Sequence, residues 1–476
     1  TLTNLKLPVA LAPATFEGTA DDEGLVAASV TVVAGAIAAI EPPAARNPRG
    51  LRIDCGGCVA TLCFSDAHTH AVKTQTVARC RNATGSMTGA TLAEDDDRPT
   101  WSEDGDVVRR MDFALQCAYH HGSRHVRTHL DGTAIGIPEA IQTKVWAAFD
   151  ELSAKYARKG LVVQGVANLY LPVYSEEPRQ AAAFCDLAKT HGPHVVLGAY
   201  VGNVASDPFD TTVAHLDALF EHARRLSMDV DLHIDETNDP QCCALLALIE
   251  SLKKVRARGY EGRVVLGHCT SLSLVEDPQR VIDGLASLTD VYVVCNPTTN
   301  LSLQDRRGSA APFSVPIAAD VARTPRWRGL TLLQELRDAG VPVAAASDNV
   351  RDWWFAFGDY DVLAVWALAQ AVGHLDTAPS EGSWADIVTT VPARAMGLLH
   401  NDSADLVLFP NARRASELFA RPHLDRIVLR AGRLQSSSLP DFRDLDDLVA
   451  SKTPRTDADP SAITRGGNTG NVKPAA

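Results

Sequence analysis

Long apolar runs are missing from this chain: none approaches the ~20 residues that a membrane span needs, so no membrane partner is expected. Basic residues are in deficit. Against 58 Asp and Glu stand 45 Lys and Arg, leaving a formal net charge of −13, which works against nucleic acid or an anionic bilayer as partner. The opening residues Thr1-Leu2-Thr3-Asn4-Leu5-Lys6 have no basic stretch followed by an apolar one, so no secretory leader is expected. Ten cysteines in 476 residues are too sparse for a disulfide framework, and a reducing cytoplasm is the expected setting. The CxxC at Cys55-Gly56-Gly57-Cys58 has no second CxxC to complete a four-sulfur metal site. A Gly-rich phosphate loop after the first strand is also absent, which argues against a doubly wound nucleotide fold. What remains, 46% hydrophobic and 22% charged residues, is the make-up of an ordinary soluble globular protein.

The middle of the chain alternates strand and helix signals. Strands are predicted at 61–65, 125–130, 161–169, 195–201, 229–234, 263–267, 291–295 and 341–346, with helices such as 104–121, 209–227 and 330–339 between them. Eight such units describe a (β/α)₈ barrel over residues 61–400. Short β segments at both ends, 25–40 and 404–430, predict one small β-sandwich domain built from residues 1–60 and 401–435. Residues 436–476 form a C-terminal extension. Its last part, 451–476, has no apolar face and is expected on its own barrel or on a neighbouring subunit, in a homo-oligomer.

Chemistry-bearing residues gather where predicted strands end, the end at which parallel barrels keep their active sites. Asp66-Ala-His68-Thr-His70 closes the first strand, and two histidines two apart face the same way in an extended chain. Asp229-Val-Asp-Leu-His233-Ile-Asp-Glu236 runs from strand into polar loop, with a carboxylate three residues past a histidine and so able to move protons beside it. Val264-Val-Leu-Gly-His268 ends on another histidine, and Val343-Ala-Ala-Ala-Ser-Asp348 on a carboxylate. These are strands 1, 5, 6 and 8 of the count, and strands 8 and 1 are neighbours in a closed barrel, so the side chains converge on one rim. Three histidines and one carboxylate suit Zn²⁺ or Fe²⁺ better than Mg²⁺ or Ca²⁺.

With these pieces in place the chain resembles the amidohydrolase superfamily, and more closely its cytosine deaminase branch. The matching stretches are Gly122–Asp131, His233-Ile-Asp-Glu236, His268-Cys-Thr-Ser, Asn296-Pro-x-x-Asn300-Leu-x-Leu-Gln304 and Asp348-Asn-Val-Arg-Asp352. The resemblance implies one divalent metal per chain, held by His68, His70, His233 and Asp348. It gives Glu236 the role of proton shuttle to the ring nitrogen and leaving amine, and His268 that of orienting the attacking water. Asp348 has a second possible role as general base. Dinuclear relatives bridge their metals with a lysine on strand 4, and Val195–Asn203 contains none, so one ion is expected.

Departures from the branch bear on the substrate. The glutamine that grips the pyrimidine is missing: Val166-Ala-Asn168-Leu-Tyr170 offers Asn168 or Tyr170 instead. Asn349 follows Asp348 where the branch has a second aspartate, and in His68-Thr-His70-Ala-Val72-Lys73 the usual acid is Val72 while Lys73 stays. Trp354, in Trp353-Trp354-Phe355, is placed to wall an aromatic ring. Arg351 and Asp352 are read as an ion pair, with contact to substrate as the alternative, and His129 as a hydrogen-bonding group on the rim. Because a site built to hydrogen-bond one ring rejects its analogues strongly, these changes point away from cytosine itself. The first reading is a hydrolytic deaminase of a small amino-substituted nitrogen heterocycle such as a pyrimidine, an imidazolone or an aminotriazine. The second opens a cyclic amide or cleaves an N-alkylamino substituent. A non-catalytic metal holder, the third, has no need of Glu236 and His268.

Overall fold

The computed structural model describes residues 1–43, 50–202, 208–242, 244–306, 324–377, 381–399 and 403–450. Eight strands lie side by side in sequence order: β1 (Phe64–Thr69), β2 (Ser123–His129), β3 (Val162–Tyr170), β4 (Val195–Tyr200), β5 (Val230–Ile234), β6 (Val264–His268), β7 (Val291–Cys295) and β8 (Val343–Ala345). Each pairs in parallel with the next. The ring closes just past β8, where Asp348 bridges Thr69 and its amide donates to the His68 carbonyl at 2.8 Å. With helices on the connections, this is the (β/α)₈ barrel that the sequence predicts.

Period-two alternation sorts the strand residues into two layers. In β6, Val264 and Leu266 join the large core shared with the surrounding helices, while Val265 faces inward with Ala67, Tyr292, Val294 and Ala344. Val391, Ala395 and Met396 complete that inner cluster, so the barrel is a packed core rather than a pore. The helix Asp106–His120 buries Val107, Met111, Ala114, Leu115 and Ala118 at helical spacing. Gly122, at φ +94°, then turns the chain into β2 where a Cβ would lie 2.6 Å from Val407.

A second, seven-stranded sheet draws on both ends of the chain. Its order is Arg433–Leu434, Ile427–Arg430, Leu406–Phe409, Ile53–Leu62, Leu2–Pro8, Leu25–Val33 and Ala36–Glu41. One face makes its own core from Leu5, Leu7, Val26, Ala28, Val30, Cys58, Ala60 and Leu406. Residues of opposite parity, Val59, Val407 and Phe409, pack into the barrel core instead. The predicted first barrel strand, 61–65, straddles this junction. Thr61 and Leu62 pair with Val407 and Leu406 in the small sheet, and the barrel strand starts only at Phe64, whose amide donates to Gly122 O. A run of continuous β propensity cannot reveal such a hand-over between sheets. Within the C-terminal extension, Phe442 stacks on Phe113 at 5.4 Å and Arg109 pairs with Asp447 at 2.6 Å, so its first part lies on its own barrel. Residues 451–476 fall outside the described residues. Among the described residues no helix is long and apolar enough to cross a membrane.

Candidate active site

The strand ends carry unusual backbone. Asp235, His268, Cys269 and Asp348 all have positive φ, between 49° and 72°, a region that non-glycine residues enter at a cost of about 1–3 kcal/mol. These bends aim side chains into the mouth of the barrel. Nε2 of His233 lies 3.2 Å from Nε2 of both His68 and His70, and Oδ1 of Asp348 lies 3.3 Å from His70 Nε2 and 3.7 Å from His68 Nε2. All four side chains are buried. Both Asp348 oxygens and His233 Nδ1 lack a hydrogen-bond partner among the described residues. Three imidazole nitrogens and a carboxylate oxygen turned on one another are the donor types that bind a divalent cation such as Zn²⁺. Donors bound tetrahedrally at ~2.0–2.1 Å sit about 3.3 Å apart, close to three of these contacts. Among the described residues His68 belongs to two groups able to hold a metal ion, one with His70, His129 and His233 and one with His268 and Asp348, so the donor set suits a divalent ion.

Supporting contacts fix the imidazoles. Asp131, which ends the stretch after β2, meets His70 Nδ1 at 2.9 Å and Lys73 Nζ at 3.4 Å. Despite burial, which acts the other way, Lys73 and His70 hold the Asp131 carboxyl below its ordinary range. On the inner side of His68, Nδ1 faces Asp231 Oδ1 at 3.8 Å, and Asp231 is bound by the fully buried Arg127 at 2.8 Å. Arg127 also donates to Gln164 at 3.0 Å. His129 is fully buried rather than on the rim: its ring stacks 4.7 Å from His70, and its Nε2 meets His68 Nδ1 at 3.4 Å. It thus meets the nitrogen of His68 that points away from the four-donor cluster.

Opposite the cluster, Glu236 Oε1 lies 3.3 Å from His268 Nδ1, and Asn300 Nδ2 lies 3.0 Å from the same nitrogen. Burial, reinforced by the nearby Asp348 carboxylate, pushes Glu236 up to about 8, whereas burial pushes His268 down to about 4. Both shifts favour the uncharged forms, a protonated carboxyl and a neutral imidazole. A proton donor and a neutral hydrogen-bonding ring therefore flank the four-donor cluster.

His70, His233, Asp348, Glu236 and His268 open into a cavity of about 280 Å³. Of the expected substrate contacts, Asn168, Asn349, Trp354 and Lys73 line it. The Asn168 Oδ1 atom is buried with no hydrogen-bond partner among the described residues, and Lys73 Nζ sits 5.1 Å from the centre of the Trp354 ring. Tyr170 does not line it. Two residues beyond Asn168 on the same strand face, it has passed the lip of the barrel and is half-exposed. Arg351 and Asp352 do not pair with each other: Arg351 donates to Gln75 at 2.7 Å, and Asp352 accepts from Asn349 at 2.8 Å. Sequence reading missed Tyr200 and the trio Thr91, Glu94 and Arg98, which come from the helix Met87–Asp97 and the turn after it. That helix gave no signal, being rich in Ala and Asp without an apolar stripe. Buried ion pairs of Arg79 with Asp97 and Asp106 tie its end to the barrel.

Comparison with known proteins agrees with this geometry. Residues 145–433 match the Amidohydrolase family. A pterin deaminase of Rhizobium rhizogenes is 36% identical over 437 residues, covering 90% of this chain and 92% of that protein. An N-isopropylammelide isopropyl amidohydrolase of Pseudomonas sp. is 24% identical over 384 residues, covering 75% of this chain and 81% of that protein. In fold, the chain is similar to 5-methylcytosine deaminase from Klebsiella pneumoniae, at a TM-score of 0.69 and 21% identity, over 92% of this chain and 98% of that one. From the match to the family over most of the barrel, and from a relative alike across nearly its whole length, the chain belongs to the amidohydrolase family.

Proposed function

We propose that this protein is a metal-dependent hydrolase that removes the amino group of a pterin-type ring as ammonia. The observation that carries the chemistry is a buried carboxyl, Glu236, 3.3 Å from His268 and facing a cluster of metal-binding side chains at the inner end of a cavity. The ring class rests on the likeness to pterin deaminase. A pterin carries its amine on a carbon between two ring nitrogens, the same local amidine as in the smaller rings that the sequence suggested.

In this reading His68, His70, His233 and Asp348 hold one divalent ion, Zn²⁺ or Fe²⁺. Such an ion supplies a Lewis acid that brings the pKa of water down towards ~7. Glu236 gives its proton to the ring nitrogen as water adds to the amidine carbon, takes a proton back from the added oxygen, and hands it to the departing amine, since ammonia leaves poorly otherwise. The uncharged His268, steadied by Asn300, hydrogen-bonds the attacking oxygen. Asn168 and Asn349 offer amides to the ring edge, and Trp354 lies against its face. The pair formed by Lys73 and Asp131 holds His70 in orientation.

A second reading, hydrolysis of an N-alkylamino group, is favoured by the relative that acts on N-isopropylammelide. One experiment separates the two. Metal-loaded protein is incubated in parallel with pterin, cytosine and N-isopropylammelide, and ammonia and isopropylamine are measured. Ammonia from pterin at the highest kcat/KM is the expected result. Isopropylamine as the preferred product would replace the first reading with the second, and no amine from any of the three would remove both. The nine free cysteines among the described residues suit a reducing cytoplasm, and sedimentation would count the subunits of the homo-oligomer that we infer.

A further inference from the structure

The CxxC that the barrel chemistry leaves unused occupies a built feature of the small sheet. The strands Leu2–Pro8 and Ile53–Leu62 run parallel, with Thr3 opposite Asp54 and then Leu5 opposite Cys58. One residue, Asn4, thus faces three, Cys55, Gly56 and Gly57, so the longer side must bulge out of the sheet. Gly56 and Gly57 both take left-handed backbone, at φ +64° and +76°, which glycine adopts without strain. Asp54 Oδ1 accepts from Gly56 N and from Asn4 Nδ2, each at 2.9 Å, and Arg413 Nε donates to Gly56 O at 3.1 Å.

This bulge brings both cysteines onto one core, that of the small sheet: Cys58 is part of it and Cys55 packs against it, with its Sγ 3.8 Å from Ile53 O. Cys58 is buried while Cys55 is partly exposed. We propose that Cys55 and Cys58 are a reversible redox pair that closes to an intrachain disulfide when the protein meets a small-molecule disulfide such as oxidised glutathione. Cys55 is the accessible nucleophile. The neighbouring Cys58 thiol holds that of Cys55 below the ordinary value, whereas burial pushes the thiols of Cys63, Cys117, Cys185 and Cys269 up. Cys58, buried in the core of the small sheet, is the resolving thiol. No third ligand joins the pair in any metal-holding group among the described residues, which favours sulfur exchange over metal binding.

The exchange balances. The Cys55 thiolate attacks one sulfur of oxidised glutathione, the S–S bond breaks, and one glutathione leaves as a thiol. Cys58 then loses its proton and attacks the Cys55 sulfur, expelling the second glutathione. Two protein thiols are oxidised and one disulfide is reduced to two thiols.

The test equilibrates the full chain with mixtures of reduced and oxidised glutathione, quenches with acid, alkylates, and maps every cysteine by mass spectrometry. The segment holding Cys55 and Cys58 should lose two hydrogens, regain them under excess reduced glutathione, and react at least about tenfold faster than the buried thiols. Cys58→Ser should trap one glutathione on Cys55, and Cys55→Ser should form neither species. The proposal is overturned if both cysteines remain fully alkylatable in oxidised glutathione. It is equally overturned if wild-type Cys55 stays as a mixed disulfide or if either cysteine pairs elsewhere.

Discussion

Replacing Glu236 by Gln should leave the metal-free protein more stable and the metal-loaded enzyme nearly inactive. The side chain is 7% exposed, and burial with the neighbouring Asp348 raises its carboxyl from 4.5 to about 8. An unfolded chain gives up this proton near pH 4.5, while the folded one keeps it until about 8. Between those values the folded state binds more protons, so stability falls as pH rises, by about 1.4 kcal/mol per unit. At pH 7 the accumulated penalty is about 3 kcal/mol, and glutamine does not carry it. Urea unfolding of metal-free wild type and Glu236→Gln should agree near pH 4.5, diverge towards pH 8 in favour of the variant, and run parallel above that. Turnover should meanwhile fall by ~10²–10⁴, the usual worth of a general acid–base group, with metal content unchanged. A variant less stable than wild type at pH 7 would refute the burial argument, and near-full turnover would refute the proton shuttle.

Two other substitutions probe the support of the cluster. In Gly267→Ala the new methyl would lie 2.8 Å from His68 Cε1 and 3.0 Å from its Nδ1, so His68 should tilt. Metal affinity, read by competition with a chromogenic chelator, should drop about 10–100-fold while the far-UV spectrum stays unchanged. Arg127→Met strands the buried Asp231 carboxylate and should cost about 3–5 kcal/mol in urea unfolding, with Asp231→Asn on top restoring part of the loss.

The placement of the candidate donors was legible because period two and strand ends leave marks in sequence. His68 and His70 share a strand face, and Asp348 terminates an apolar run that had to be a buried strand. His233 lies 3.2 Å from both His68 and His70, and Asp348 lies 3.7 and 3.3 Å from the same two rings. What sequence could not carry was depth and tertiary placement. Asn168 and Tyr170 look interchangeable two residues apart, yet one lines the cavity and the other clears the barrel lip. His129 could be assigned to the right strand but not to its place beneath His68 and His70. The outer wall from Thr91, Glu94 and Arg98 depends on how the Met87–Asp97 helix folds back, which is decided by the long-range pairs of Arg79 rather than by local pattern. Ring size leaves no mark in the strand-end pattern, and the pterin-type ring proposed above rests on the likeness to pterin deaminase.

The most direct measurement is turnover of pterin by metal-loaded protein in ¹⁸O-labelled water, with ammonia and labelled ring product counted together. Hydrolytic deamination at this site predicts one solvent oxygen in the product for each ammonia released, and neither from protein stripped of metal. Ammonia without solvent oxygen in the ring, or equal turnover after the metal is removed, would contradict it.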